Sequence, residues 1–268
     1  MKRITSGENQ LYKTVSQLKQ KKYREEQQRY LIEGPNLVRE ALNNGARIEM
    51  ILRSDDYGEE NLRSEQLDLA MAEVPVTALS SELFRKLSDT ETPQGILAVV
   101  KKKIYTEDEF FSTEAVSSNV IVLDRLQDPG NIGTILRTAD AAGYLGAILL
   151  KGTADIYSPK IVRAATGSLF RLPVLLTDSP ETAIRMLRRR RKKIICTALD
   201  CSSFYYDADL KENAAVIIGN EGNGVCGEFL EESDVRIKIP MEGTIESLNA
   251  AVAAGILMYE SVRQRHQR

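Results

Sequence analysis

Apolar positions in the first third of the chain fall into short runs separated by stretches of helical period. Strands are predicted by the runs YLI, RIEMILR, VPVTAL and TPQGILAVVKK, and helices by NLVREAL and SSELFRKLS. A basic helical segment is predicted over residues 1–30 and an acidic helix over 59–71. Alternating strands and helices predict an α/β sandwich over residues 1–105, followed by a polar linker over 106–118.

The pattern changes at residue 119, where NVIVLDRL opens with an unbroken apolar run. Such a run is typical of a parallel strand that is buried on both faces. The strands GAILLK, LPVLL, IICTAL, AAVIIGN and VRIKIP follow, with helices between most of them. Residues 119–268 are therefore predicted to form a parallel α/β domain. Ligands of such sheets bind at the carboxyl ends of the strands, where the loops 127–133, 219–225 and 241–247 should converge.

Composition narrows the class of protein. With 43% apolar and 28% charged residues among 268, the chain is typical of globular proteins. It has no apolar run long enough for a bilayer and no signal-peptide pattern, so we expect a cytoplasmic protein without a membrane partner. Cys196, Cys201 and Cys226 form no metal-binding spacing, and no metal is expected. The single histidine, His266, lies in the tail, which disfavours a mechanism with a buried histidine base.

Charge is unevenly distributed although the net charge is only −2. Basic residues crowd segments 2–29, 101–103, 188–193 and 263–268, whereas acidic residues gather over 55–91 and 207–232. Such segregation can form a basic face that suits nucleic acid. Alternatively, each run is only the solvated face of a helix, and both interpretations stay open.

Several polar residues in the converging loops are candidates for chemistry. Ser247 and Asn249 lie where a loop enters an Ala-rich helix, and Ser247 either caps this helix or takes part in a reaction. The loop GNEGNG is neither a dinucleotide fingerprint nor a P-loop, and Glu221 is its only charge. Asn131 and Arg137 share a predicted helix about 9 Å apart along its axis, and an arginine among apolar neighbours should point to a cleft, a carboxylate or a phosphate.

Three stretches together identify a family: DPGNIGTILRTADAAG, IIGNEGNGV and IPMEGTIESLNAAVAAG. In this order and spacing they resemble the motifs of the SpoU/TrmH ribose methyltransferases of the SPOUT class. LIEGPNLVREAL and ETPQGILAVVKK resemble signatures of the family's N-terminal substrate-binding domain. The resemblance implies a small N-terminal α/β substrate-binding domain and a C-terminal SPOUT domain whose chain forms a trefoil knot.

The resemblance also implies an activity and its participants. These are methylation of a ribose 2′-hydroxyl in RNA, S-adenosyl-L-methionine as cofactor, and a homodimer that forms through the C-terminal domain and completes the active site. The residues that match the family's catalytic positions are Asn131, Arg137, Glu221, Ser247 and Asn249. Those that match its cofactor contacts are Ala198, Leu199, Gly219, Ile239 and Leu248.

Alternatives remain for the substrate and for the proton acceptor. The appended N-terminal domain favours ribosomal RNA, but a transfer-RNA methyltransferase and a noncatalytic RNA-binding ribosome-assembly protein are also considered. A 2′-hydroxyl must lose its proton, and the candidate groups are Glu221 and Arg137. Arginine is normally protonated at neutral pH, so we favour an orienting role for Arg137, in which it clamps the target phosphate.

Overall fold

Two β-sheets form the framework of the chain in a computed structural model, which describes residues 2–58, 61 and 74–267. The acidic helix predicted over 59–71 lies outside the described residues, except for residue 61. In chain order the described strands are β1 (Lys2–Ile4), β2 (Arg29–Glu33), β3 (Ile48–Ser54), β4 (Val76–Leu79), β5 (Ile96–Lys101), β6 (Val120–Leu123), β7 (Gly146–Leu150), β8 (Val174–Thr177), β9 (Lys193–Thr197), β10 (Ala214–Ile218) and β11 (Val235–Ile237).

The helices of the described chain surround these sheets. They are α1 (Gln10–Gln17), α2 (Lys21–Gln27), α3 (Pro35–Asn43), α4 (Ser81–Leu87), α5 (Glu107–Phe111), α6 (Pro129–Ala141), α7 (Pro159–Ala164), α8 (Ser168–Arg171), α9 (Pro180–Arg189), α10 (Gly227–Glu231) and α11 (Ala250–His266). A short 3₁₀ helix occupies Tyr205–Asp207.

The first sheet has the strand order β1-β4-β3-β5-β2, with β5 antiparallel to both of its neighbours. Its residues alternate between two apolar layers. Leu31 and Leu97 pack on one face with side chains of α1 and α4, whereas Tyr30 and Ile32 pack on the other with α3. An α/β sandwich was predicted here, although the N-terminal strand β1 lies within residues that were predicted to be helical.

A distant piece of sequence completes this first unit. It contains the described residues up to Lys103 together with Asp155–Phe170. In the inserted segment, Val162 is 3% exposed and joins the core layer of Tyr30 and Ile32. Asp155 forms a largely buried ion pair of 2.7 Å with Arg24. Helix α7 was predicted within the C-terminal domain, but its apolar face packs in the first unit.

Residues 106–118, predicted as a linker, contain helix α5. Thr106 and Glu109 form a capping box at its start, in which each residue's side chain binds the other's backbone N–H. Phe110 is fully buried in the core of the second unit, which comprises Ile104–Ala154 and Arg171–Arg268. This segment is therefore part of a folded unit.

The second sheet has the strand order β11-β9-β10-β6-β7-β8, and every neighbouring pair is parallel. Strands β6, β7 and β10 are buried at every position, which the unbroken apolar run at the start of NVIVLDRL predicted for β6. The predicted α/β class with a small N-terminal unit and a parallel C-terminal sheet is confirmed. No helix in the described part of the chain is both long and apolar enough to cross a membrane.

Helices α6 and α11 lie side by side on this sheet. Near their N-termini the Asn249 side chain donates to Asn131, and near their C-termini Arg265 donates to the Ala142 carbonyl at 2.7 Å. The two helices therefore run in the same direction, and both begin at the carboxyl edge of the sheet. This arrangement brings two helix N-termini to the edge where ligands of parallel sheets bind.

Candidate active site

The loops that follow β6, β10 and β11 meet at the carboxyl edge of the second sheet. Glu221, at the tip of the loop after β10, accepts hydrogen bonds from the backbone N–H groups of Gln127 and Asp128, each at 3.2 Å. It also accepts from the Asn131 side-chain amide at 3.2 Å. The Glu221 carboxylate thus lies over the N-terminus of α6, where a negative charge is favoured.

Asn249 connects the third loop to the same group of residues. Its side-chain amide donates to the Asn131 side-chain oxygen at 2.8 Å. Its own side-chain oxygen accepts from the backbone N–H groups of Ala251 and Val252, so Asn249 is the N-cap of α11. A continuous hydrogen-bonded chain therefore runs from Asn249 through Asn131 to Glu221 and fixes the two helix N-termini to the glycine-rich loop.

The hydrogen bonds also set the charge state of Glu221. Desolvation raises the pKa of its carboxyl group, but hydrogen bonds from backbone N–H groups and from the Asn131 amide outweigh it. The pKa of Glu221 is therefore lower than its ordinary value of 4.5. The carboxylate is ionised at neutral pH, and its low basicity makes it a poor proton acceptor.

The glycine-rich loop is closed by its own backbone. Asn220 and Gly224 exchange two backbone hydrogen bonds, each of 2.9 Å. The Asn220 side-chain oxygen accepts from the N–H groups of Gly222 and Asn223, while its amide donates to the Arg125 carbonyl. A Cβ on Gly219 would lie 2.2 Å from backbone atoms of Gly224 and Val225. Only glycine fits where the chain passes itself this closely.

Ser247 is exposed, and no hydrogen bond of its side chain is found within the described residues. The interpretation of Ser247 as the helix cap is wrong, because Asn249 occupies the N-cap position of α11. Ser247 lies two residues before that cap, in the loop after β11.

Arg137 lies apart from the hydrogen-bonded chain. Six residues of helix rotate a side chain by about 120° from its starting direction. Asn131 is accordingly buried at the start of α6, whereas Arg137 is exposed. Across the described ranges 2–58, 61 and 74–267, the Arg137 guanidinium makes no hydrogen bond or ion pair. Among these residues, neither Ser247 nor Asn249 forms a hydrogen bond with Arg137.

The residues that match the family's cofactor contacts lie at the ends of β9, β10 and β11. Leu199 is 63% exposed just after β9, and Ala198 beside it donates its N–H to the Ile237 carbonyl at 3.0 Å. Ile239 and Leu248 are half-buried in the chain that follows β11. These residues and the closed backbone at Gly219 thus lie at the ends of β9, β10 and β11, the edge where ligands of parallel sheets bind.

Three residues at this edge were not identified from the sequence. Asp124 is fully buried, and its carboxylate accepts from the Cys226 N–H at 2.7 Å and pairs with Arg125. Asn220 organises the glycine-rich loop, and its place directly after Gly219 at the start of GNEGNG was an available signal. Ile245 is 60% exposed, and an apolar residue inside a polar loop was a further signal. The described residues hold no acidic, histidine or cysteine cluster suited to a metal ion.

Comparison with known proteins identifies the family. Residues 118–259 match the SpoU rRNA Methylase family, and residues 9–98 match the MRM3-like substrate binding domain. The chain belongs to the SpoU rRNA methylase family. It is 39% identical over 259 residues to the 23S rRNA (guanosine(2553)-2′-O)-methyltransferase RlmP of Bacillus subtilis, covering 97% of this chain and 98% of that protein. The family resemblance read from the three motifs is confirmed.

Solved structures of relatives share the fold along the whole chain. An AdoMet-bound rRNA methyltransferase from Sinorhizobium meliloti aligns with a TM-score of 0.87 at 31% identity, over 98% of both chains. The SpoU methyltransferase AviRb from Streptomyces viridochromogenes, in complex with AdoMet, aligns with a TM-score of 0.85 at 30% identity, over 97% of this chain and 99% of that one. S-adenosylmethionine (AdoMet) is thus the cofactor of this family, as the resemblance implied.

Proposed function

We propose that this protein methylates a ribose 2′-hydroxyl of 23S ribosomal RNA with AdoMet as the methyl donor. The observation that carries the proposal is the chain Asn249–Asn131–Glu221, which joins three motif loops at the ligand-binding edge of a parallel sheet. The named activity of the Bacillus subtilis relative supports the choice of 23S ribosomal RNA, because that relative aligns over 97% of this chain.

Arg137 is proposed to bind and orient the RNA. Its guanidinium has no partner in the described chain and is exposed, so its donors are available for a phosphate or ribose oxygen. Ser247, whose hydroxyl is also exposed, is proposed to contact the same ribose. The role of Glu221, Asn131 and Asn249 is to hold the loops in register, since their polar groups are largely used by one another.

AdoMet supplies an electrophilic methyl carbon on a sulfonium sulfur. Ala198, Leu199, Gly219, Ile239 and Leu248 are proposed to hold it through apolar contact and backbone groups. The attacking 2′-oxygen must lose its proton, and the lowered pKa of Glu221 makes this carboxylate a weak acceptor. We therefore favour proton release to solvent, with catalysis through orientation by Arg137 and the fixed loops.

A homodimer through the second unit is proposed to complete the site. Val252 and Tyr259 of α11 are 52% and 53% exposed, seven residues apart on one helix face. Between them a Cβ added to Gly255 would meet nothing within 4 Å, so the described residues give no reason for a helix-weakening glycine. A second copy of the chain packed on this face would cover the two exposed side chains and could approach closely at Gly255. Light scattering should give twice the chain mass for the wild type and the mass of one chain for Tyr259→Glu. A wild-type monomer would refute the dimer.

The remaining assignments concern domains, topology and location. Residues 1–105 are proposed to bind the RNA substrate and residues 119–268 to form the methyltransferase domain, apart from the segment 155–170 that packs in the first unit; the family matches over 9–98 and 118–259 support this division. A trefoil knot is proposed because Gln264 of α11 bonds Ala208 and Leu210 in the connection between β9 and β10. An experimental map that traces α11 outside this connection would refute the knot. The cytoplasm, where ribosomes assemble, is the proposed location.

Methyl transfer from radiolabelled AdoMet tests the activity directly. In vitro transcripts of 23S ribosomal RNA and of transfer RNA serve as parallel substrates, and digestion to nucleosides identifies the 2′-O-methylated product. We expect label in 23S ribosomal RNA only. Label confined to transfer RNA would show that transfer RNA is the substrate instead. RNA binding without any methyl transfer would favour a noncatalytic ribosome-assembly protein.

Arg137→Ala tests the proposed site. The variant should lower kcat by about 10²–10³-fold, the usual effect of removing one transition-state donor, while the affinity for AdoMet measured by calorimetry is unchanged. Arg185→Ala, which removes an exposed arginine from α9, is the matched control and should retain activity. Near-normal turnover of Arg137→Ala would contradict its role.

A further inference from the structure

Many cations of the basic runs seen in the sequence pair with carboxylates in the fold. At the end of α9, Arg188 pairs with Asp234, and Arg190 pairs with Glu107 and Asp108. These cations are therefore engaged within the protein. An RNA backbone would have to displace carboxylates to bind them.

The N-terminal and C-terminal runs are similar. Arg24 is buried against Asp155, and Lys13 pairs with Glu8. In the tail, Arg263 pairs with Glu260 at 2.6 Å. Segregated charge in the sequence thus becomes paired charge in these parts of the structure.

The basic run 101–103 is different. Its first residue, Lys101, is the last residue of β5 and lies between two other cations. Arg29 of β2 lies directly opposite Lys101 of β5 in the antiparallel register. On the other side, Ile48 pairs with Val100, and the Lys101 N–H donates to the Arg47 carbonyl at 2.9 Å. Residues opposite one another in a sheet project to the same face. The basic row, defined as Arg29, Lys101 and Arg47, therefore runs from β2 across β5 to the residue that directly precedes β3.

Like charges placed directly opposite in a sheet are destabilising. Glu49 compensates for one member of the row by pairing with Arg29. Lys101 and Arg47 are both exposed, and neither has a carboxylate partner among the residues that the structure describes. Strands are about 4.8 Å apart, so the row spans about 10 Å. An extended anion across the row would relieve this repulsion.

We propose that the basic row binds the phosphodiester backbone of the RNA substrate. The proposal rests on the proposed function, since RNA is the anion that this protein is expected to meet. Phosphates would accept hydrogen bonds from the Lys101 ammonium and the Arg47 guanidinium, and Arg29 would be shared with Glu49. Such contacts position RNA without reading its sequence.

The salt dependence of RNA binding tests the row in the full-length protein. The probe is an in vitro transcript of 23S ribosomal RNA, and affinity is measured by filter binding over a range of KCl concentrations. For the double variant Arg47→Gln/Lys101→Gln, the slope of log affinity against log salt should become shallower by about 1.4–1.8, because each phosphate contact contributes about 0.7–0.9. KM for RNA should rise with kcat unchanged, as for lost uniform binding.

Lys160→Gln provides the matched control, because Lys160 is an exposed lysine of the same unit outside the row. Its slope should equal that of the wild type. The thermal midpoint of the double variant should not fall, since a repulsion has been removed. A double variant with the wild-type slope, or a control with an equal loss, overturns the proposal.

The two proposals fail separately. Suppose that the wild type transfers no methyl group to any RNA, but the double variant has a shallower slope of log affinity against log salt. The proposed role of the basic row is then supported and the proposed activity is refuted. Suppose instead that the wild type methylates 23S ribosomal RNA and the double variant binds it with an unchanged salt slope. The proposed activity is then supported and the proposed role of the basic row is refuted.

Discussion

At the scale of single residues, the backbone of Gly224 and Val225 leaves Gly219 no room for a side chain. A Cβ at 219 would come within 2.2 Å of both. Gly219→Ala should therefore lower the free energy of unfolding by about 1–3 kcal/mol, as overpacking does, and weaken AdoMet binding. Chemical denaturation and calorimetry measure the two effects.

Gly243→Ala is the matched control for this prediction. It lies in the neighbouring loop after β11, and a Cβ there meets nothing within 4 Å. Its stability should stay within about 0.5 kcal/mol of the wild type, as for a surface substitution. Equal losses in the two variants would show that loop flexibility, rather than close backbone contact, explains Gly219.

Glu221 gives a prediction about pH. Its folded-state pKa lies below the ordinary value of 4.5. Its contribution to stability is therefore fully present above about pH 4.5 and is lost as the pH falls through the lower folded value. Denaturation of wild type and Glu221→Gln should show a stability difference that is constant near neutral pH and shrinks in acid. Parallel curves down to the acid transition would contradict the hydrogen-bonded carboxylate.

Single residues were predicted unevenly from the sequence. The strand-end rule identified the loops of Asn131, Glu221 and Asn249, because ligand loops of parallel sheets share one edge. The sequence pointed to Ser247 as the possible helix cap, whereas Asn249 is the cap; both residue types are good caps and they lie two positions apart. The cap depends on local backbone angles, which tertiary contacts fix. For the same reason the buried Asp124 carried no local signal.

At the scale of elements, α11 depends on Asn249 for two separate functions. The side-chain oxygen caps the helix, and the amide holds Asn131. Asn249→Ser keeps a capping oxygen but is too short to reach Asn131, whereas Asn249→Ala removes both. The serine variant should retain stability within a few tenths of a kcal/mol and lose turnover, while alanine should also lose about 1 kcal/mol.

Circular dichroism melts and methyl-transfer rates separate these outcomes. A serine variant with full turnover would show that the contact between the two asparagines is not needed for catalysis. A serine variant as unstable as alanine would instead assign the whole effect to the cap.

Elements with strong periodicity were predicted well from the sequence. Apolar runs identified β6, β7 and β10 because a strand buried on both faces has no polar position. Helix α5 was missed because it is five residues long and polar except for its last two positions. Its place in the fold depends on Phe110, whose burial partners come from distant strands.

At the scale of the whole molecule, the first unit includes Asp155–Phe170 from the middle of the second sequence section. Deleting residues 1–103 would remove the packing partners of Val162, which is 3% exposed in the core layer of Tyr30 and Ile32. We expect this truncated protein to aggregate. A second truncation, in which a glycine-serine linker also replaces residues 155–170, should remain soluble and bind AdoMet.

Size-exclusion chromatography and calorimetry compare the two truncated proteins. Equal solubility would show that the inserted segment does not need the first unit to cover it. The sequence did not predict that this segment belongs to the first unit, because α7 has an ordinary amphipathic pattern that fits either core.

The inserted segment also has a consequence for biosynthesis. When the ribosome has made the first 103 residues, the layer around Tyr30 and Ile32 still lacks Val162. Roughly 70 further residues must be translated, which takes about 3–14 s at about 5–20 residues per second. During that time an incomplete apolar face is exposed while two of the six strands of the second sheet, β6 and β7, are made. The nascent first unit is therefore expected to be a client of chaperones until residue 170 has left the exit tunnel.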